Sequence, residues 1–157
     1  MTKDTILDYT RRISGANRSE IIVCVFEMGE IYMEDAIECH REGDMEGFRS
    51  GCTKARNCVN DLLESLNFEY ELAQPLMQIY IYMAKELTLS SIRSDVEMVK
   101  RIQAMFTKLK ISFEEVAKSD TSGAVMENTQ AVYAGLTYGK NSLNESITMD
   151  SNRGFTV

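Results

Sequence analysis

Tryptophan is missing from this sequence, histidine and proline each occur once, and no long uninterrupted apolar stretch is present. Each scarcity excludes something. A helix that crosses a bilayer needs about 18–20 consecutive apolar residues, so no membrane insertion is expected. The N-terminus, Met1-Thr2-Lys3-Asp4-Thr5, lacks the apolar core of a secretory signal, and a cytoplasmic location is the expectation. Positive charge is in deficit: 17 Lys and Arg stand against 24 Asp and Glu, for a net charge of -7. Neutralising phosphates takes a basic face, so nucleic acid is not an expected partner. An acidic surface instead suits a chain that stays soluble while carrying something apolar.

A single histidine removes most of the metal chemistry that helical proteins perform. Di-iron bundles need inward carboxylates and paired Glu-x-x-His motifs, and the residue three places before His40 is Ile37. Zinc sites gather Cys and His, whereas the neighbours Cys39 and His40 would point about 100° apart on a helix. The cysteines Cys24, Cys39, Cys52 and Cys58 form no C-x-x-C, and each falls in a helical pattern. They read as buried, reduced thiols. No nucleophile motif or glycine-rich phosphate loop is present, so no catalytic residue, metal or cofactor is expected. His40 invites one further test, because phosphotransfer domains are four-helix bundles built around an exposed histidine in a His-x-x-Lys-Gly context. The stretch His40-Arg41-Glu42-Gly43-Asp44 lacks the lysine and brings the glycine one place early. His40 reads as a solvated residue at a helix end, near the negative pole of the dipole.

Few breakers leave room for long helices, and the apolar residues recur with a period near 3.6. The first predicted helix starts near Ser19, with Asn17 or Ser19 as its cap. Asn17 followed three places on by Glu20 has the form of a capping box. Its stripe is Ile22, Val25, Phe26, Gly29, Tyr32, Met33 and Ala36, and Gly43 offers a left-handed stop. The second helix is capped by Asp44 and ends near Asn67. Its stripe is Phe48, Cys52, Ala55, Val59, Leu62, Leu63 and Leu66, which keeps one face apolar for about five turns. The third begins between Glu69 and Pro75, since proline is tolerated in a first turn; a kink at Pro75 is the alternative. It carries Leu72, Leu76, Ile79, Tyr80, Met83 and Leu87. Ser94 with Glu97 forms a capping box for the fourth, whose seam is Val96, Val99, Ile102, Phe106, Leu109, Phe113 and Val116.

Four amphipathic helices with short joints predict an all-α, antiparallel up-down four-helix bundle over residues 1–118, with an N-terminal cap segment ahead of it. From residue 119 to 157 the composition shifts to Gly, Ser, Asn and Thr, the signature of a flexible tail. Within it Val125, Thr129, Val132 and Leu136 fall at helical spacing. A short helix there would be able to occupy an empty groove of the bundle.

The methionine count, ten, is high. Met98 and Met105 lie seven apart beside the fourth seam, and Met77, Ile81 and Tyr82 do the same on the third helix. Methionine adapts to irregular surfaces, so these two strips are candidate walls of a groove for an amphipathic helix. The competing reading is a core stripe wider than the minimum.

Several local stretches, in order and spacing, resemble the FliS family of flagellar export chaperones. Tyr9 leads into Ser14-Gly15-Ala16-Asn17-Arg18, where the family carries a Thr-Ala-Ser-Pro turn. Val25-Phe26-Glu27-Met28-Gly29 stands for its Leu-Tyr-Asp-Gly stretch, and Ile79-Tyr80-Ile81-Tyr82-Met83 for its Leu-Tyr-x-Tyr-Met stretch. Phe113 falls where the family has a tryptophan near the end of the last helix. The departures are the missing Ser-Pro, Phe26 in place of tyrosine, and the absent tryptophan; the likeness spans residues 6–118. The resemblance implies a cytoplasmic secretion chaperone that binds the C-terminal segment of flagellin, which is disordered when free. Binding would prevent polymerisation before export, with the flagellar export apparatus or other assembly factors as further partners. It also implies that Tyr9 and Ile13 belong to a displaceable N-terminal cover over part of the binding surface. The alternatives are a helical adaptor for another partner and a phosphotransfer domain using His40.

Overall fold

Asn17 opens the longest helix among the described residues, and its local chemistry is that of a complete capping box. Its side chain accepts from the Glu20 N–H at 2.9 Å, and the Glu20 carboxylate accepts from the Asn17 N–H at 2.9 Å. The structure is a computed structural model that describes residues 1–126. It contains α1 (Lys3–Ser14), α2 (Arg18–Glu42), α3 (Met45–Glu64), α4 (Ala73–Arg93) and α5 (Val96–Ser119). The possible tail helix between Val125 and Leu136 lies, but for its first two residues, outside the described residues.

The other helix ends follow equally local rules. Gly43 stops α2 with φ 81°, a left-handed conformation open to glycine at little cost. Asp44 caps α3 by accepting from the Gly47 N–H at 2.8 Å. Ser65 closes α3, so that helix ends short of Asn67. Pro75 sits in the first turn of α4, where its missing N–H costs nothing. The start of α5 differs from the expected Ser94–Glu97 box. Asp95 is the cap, accepting from the Met98 N–H at 3.0 Å, while Glu97 pairs with Lys100 at 2.7 Å. Ser94 instead ends α4 with φ 55°. An aspartate caps as well as a serine, which leaves Ser94 to make the turn.

Helices α2–α5 form the expected up-down four-helix bundle, each packed on its two neighbours in the order α2, α3, α4, α5 and back to α2. The stripes meet in one core: Phe26, Met33 and Ala36 from α2, Phe48, Cys52, Val59 and Leu62 from α3, Tyr80, Met83 and Leu87 from α4, and Val99, Ile102 and Phe106 from α5. Phe26 is its aromatic hub. Its ring lies 4.9 Å from Phe106, edge to face, 5.3 Å from Phe113 and 6.5 Å from Tyr80, contacts worth about 0.5–1.5 kcal/mol each beyond burial. Cys24, Cys52 and Cys58 are buried free thiols, and Cys39 is half-buried. Burial pushes Cys52 up to about 11 and Cys58 up to about 12, so neither is a nucleophile near neutral pH.

The fifth helix, α1, is the main addition to the sequence reading. Thr2 caps it, accepting from the Thr5 N–H at 3.2 Å, and it lies along α2.

Helices α2 and α3 approach so closely that Gly51 has no room for a side chain. A Cβ there would stand 2.7 Å from the Ala36 Cβ and 2.9 Å from the Tyr32 carbonyl oxygen. Gly51→Ala should therefore lower stability by about 1–3 kcal/mol, despite alanine's better helix propensity, because backbone must move. Chemical denaturation of the two proteins measures the difference, and an equal or higher midpoint for the variant would contradict the close contact.

Candidate functional site

The joints of the bundle are unequal. Gly43–Asp44 and Ser94–Asp95 turn the chain at one end, whereas the opposite end is spanned by the longer connection Ser65–Leu72. Among neighbouring helices of the bundle, α4 and α5 touch least. At the loosely joined end they leave an open cleft of about 810 Å³. Its apolar lining includes Ile22, Leu76, Ile79, Leu109, Phe113 and Val116, with Tyr70 and Leu72 at the mouth. These are the ends of the same stripes that build the core, continued past the point where the facing helices close on each other.

The rim is polar and ordered by a few hydrogen bonds. Arg18 donates to the Ser65 carbonyl at 2.8 Å, tying the start of α2 to the end of α3. After α5 the chain folds back over the start of α2. Asp120 accepts from the Ser19 hydroxyl at 2.5 Å and from the Ser122 N–H and hydroxyl at 3.0 and 2.6 Å. The hydrogen bonds from Ser122 and then Ser19 hold its carboxyl down at about 2, so it is charged at any ordinary pH. Farther on, the Val125 N–H donates to the Ala16 carbonyl at 3.0 Å. The cleft thus presents aliphatic and aromatic surface inside and charge only at its edge, which suits burial of apolar side chains.

The second feature is the seat of α1. Tyr9 is buried, and its hydroxyl donates to the Glu27 carboxylate. Arg12 grips the same carboxylate with both arms of its guanidinium, at 2.5 and 3.1 Å, and lies 5.1 Å over the Tyr9 ring. The Met1 amino group pairs with Asp35 at the other end of the helix. Burial pushes the Glu27 carboxyl up, but the hydrogen bonds from Arg12 and Tyr9 outweigh it and hold it below its usual value. Burial, with the Glu27 hydrogen bond behind it, pushes Tyr9 up to about 12. Beneath lie Val23 and Cys24, both buried although they face away from the core.

The seven residues singled out by sequence sit on three different helices, and none lines the apolar cleft. Tyr9 and Ile13 are on the inner side of α1, buried and half-buried. On α4 the cleft takes Leu76 and Ile79, after the cap residue Leu72, while Met77 and Ile81, four apart, follow a different face. Met77 is half-buried, and Ile81 and Tyr82 are exposed. Met98 and Met105 pack against the core from its edge, as a wide stripe would. His40 is half-buried rather than solvated, with its ring edge-to-face on Phe48 at 5.2 Å. The cleft residues were visible in the sequence only as core stripe. The signal that set them apart was the long connection Ser65–Leu72 beside them, with its large apolar residues Phe68, Tyr70 and Leu72.

Fold and cleft together define a helical-bundle protein with an apolar cleft at one end. The family model described as flagellar protein FliS matches residues 7–120, and the chain belongs to that family. It is 21% identical over 108 residues to the flagellar secretion chaperone FliS of Bacillus subtilis (strain 168), a match covering 69% of this chain and 81% of that protein. No helix among the described residues is long and apolar enough to cross a membrane.

Two predictions follow from the seat of α1. Glu27→Gln weakens a partly exposed ion pair, a loss of about 1 kcal/mol after screening. It should speed thiol-reagent labelling of Cys24 about fivefold by freeing α1, with half-buried Cys39 as the internal control. Site-resolved mass spectrometry reads this out, and an unchanged Cys24 rate would show that Glu27 does not hold the helix. The second concerns pH. Tyr9 is raised above its ordinary value of about 10, so its contribution is complete below about pH 10 and is lost as pH rises toward about 12. Thermal melts of the wild type should therefore fall faster across that window than those of Tyr9→Phe, which has no hydroxyl to titrate. Parallel curves would remove Tyr9 from the account.

Proposed function

We propose that this chain is a flagellar secretion chaperone that holds the C-terminal segment of flagellin in its apolar cleft and prevents polymerisation before export. The observation that carries the reading is the cleft itself, a large apolar surface left open at the loosely joined end of a well-packed bundle. Family membership supplies the flagellar context. A segment that is disordered when free and folds as it binds gains the affinity it needs from buried apolar area, at the cost of its own ordering. The work is holding a partner, not catalysis, and it takes place in the cytoplasm, where flagellin is made.

In this reading the ligand's helical apolar face enters between α4 and α5, against Leu76, Ile79, Leu109 and Phe113. A long ligand extends beyond the cleft, and the exposed Ile81 and Tyr82, with Met77 beside them, offer it further apolar contact on α4. Met98 and Met105 offer adaptable surface along α5. Tyr9 and Ile13 belong to the cover formed by α1, which the Glu27 cluster holds in place when no ligand is bound.

Calorimetric titration with a peptide spanning the flagellin C-terminal helical region tests the proposal. One-to-one binding with a large negative heat-capacity change is expected. Val116→Asp places a charge on the cleft wall at a residue that is already half open to solvent. It should weaken binding by about tenfold or more with little loss of stability. Absence of binding by the wild type, or full affinity in Val116→Asp, would refute the cleft as the flagellin site.

A further inference from the structure

The mouth of the cleft is marked by an unusual run, Phe68-Glu69-Tyr70-Glu71-Leu72, in the connection between α3 and α4. Its three apolar side chains are among the most exposed large ones among the described residues: Phe68 at 59%, Tyr70 at 70% and Leu72 at 72%. Large apolar groups in one exposed cluster, continuous with an apolar cleft, mark a surface that a partner covers. Tyr70 and Leu72 themselves line the cleft. Glu69 stands between Phe68 and Tyr70 and Glu71 between Tyr70 and Leu72, both exposed.

The charges at this mouth do not cancel. Among the described residues neither Glu69 nor Glu71 is in an ion pair. The Glu69 carboxylate accepts a neutral amide hydrogen bond, from Asn67 at 3.3 Å. Across the rim Asp120 adds a third carboxylate, satisfied by serine hydroxyls and a backbone N–H that leave its charge in place. Arg18 is the basic residue of the cleft lining, and its guanidinium is turned to the Ser65 carbonyl. One carboxylate, Asp120, and one guanidinium, Arg18, are thus in the cleft lining, and two further carboxylates, Glu69 and Glu71, flank the lining residue Tyr70 in the chain.

We propose that the cleft selects an amphipathic helical segment whose apolar face is bordered by Lys or Arg, with Glu69, Glu71 and Asp120 reading that border. The inference rests on the proposed use of the cleft as a peptide site and adds the charge of the occupant to it. Apolar burial supplies the affinity. The acidic frame supplies discrimination, since a segment bordered by Glu or Asp meets like charges at the mouth. The frame is exposed, so its effect fades as salt screens it.

The test uses the full chain and three probes: the flagellin C-terminal segment, and two synthetic helical peptides with the same apolar face, one bordered by Lys and one by Glu. Titration at low salt should give the Lys-bordered peptide about tenfold tighter binding, a preference that shrinks severalfold at about 1 M salt. Glu69→Gln with Glu71→Gln, on an exposed connection, should remove most of the preference while leaving the helical circular dichroism signal unchanged. Equal affinities for the two synthetic peptides, or a preference that survives in the double variant, would overturn the inference. Flagellin binding without any charge preference removes the inference alone. A Lys preference without flagellin binding upholds it and instead removes the flagellin assignment.

Discussion

The turns Gly43–Asp44 and Ser94–Asp95 lie at one end of the bundle, and they govern what the other end can be. Each is a direct pass from a left-handed residue to an aspartate cap, so neighbouring helices are drawn together there. The close approach of α2 and α3 at Gly51 belongs to this clamped half. At the opposite end the chain takes the longer path Ser65–Leu72, and no short turn among the described residues draws α4 and α5 together there. The aromatic hub at Phe26 marks the limit of tight packing. Beyond it, among the described residues, the same apolar stripes line the cleft instead of closing fully on one another.

This leaves an apolar surface open without a specialised insertion. An apolar stripe that closes on itself is core, and the same stripe one turn farther on lines a cleft. The stability of the bundle and the openness of the cleft therefore do not compete directly, because they reside at different ends of the helices. The fold-back of Asp120 onto Ser19 and the tie from Arg18 to Ser65 keep the rim in shape where no helix does.

The N-terminal helix follows a different logic. It is attached chiefly by a polar knot, in which one carboxylate serves both Tyr9 and Arg12, and it covers Val23 and Cys24 on a face of α2 that the bundle leaves bare. Such an attachment is modest in energy, because the Arg12 side chain is partly open to solvent.

What the sequence determined by itself was the material written at short range. The capping box at Asn17, the left-handed stop at Gly43, the cap at Asp44 and the tolerance of Pro75 in a first turn each involve residues within a few places of one another. The four stripes followed from a period of 3.6, and they allocated Phe26, Phe48, Tyr80 and Phe106 to the core correctly. The order of the motifs also pointed to the family. Periodicity says which face of a helix is apolar, but not whether another helix arrives to cover it. For that reason Leu76, Ile79, Leu109 and Phe113 read as core, and Met98 and Met105 stayed open between groove wall and wide core stripe. The α1 helix was missed for a related reason: its inner face is small, and its anchor, the Glu27 carboxylate, lies on another helix. Only the tertiary structure decided these points, because exposure is a relation between elements far apart in the chain, set here by the unequal lengths of the joints.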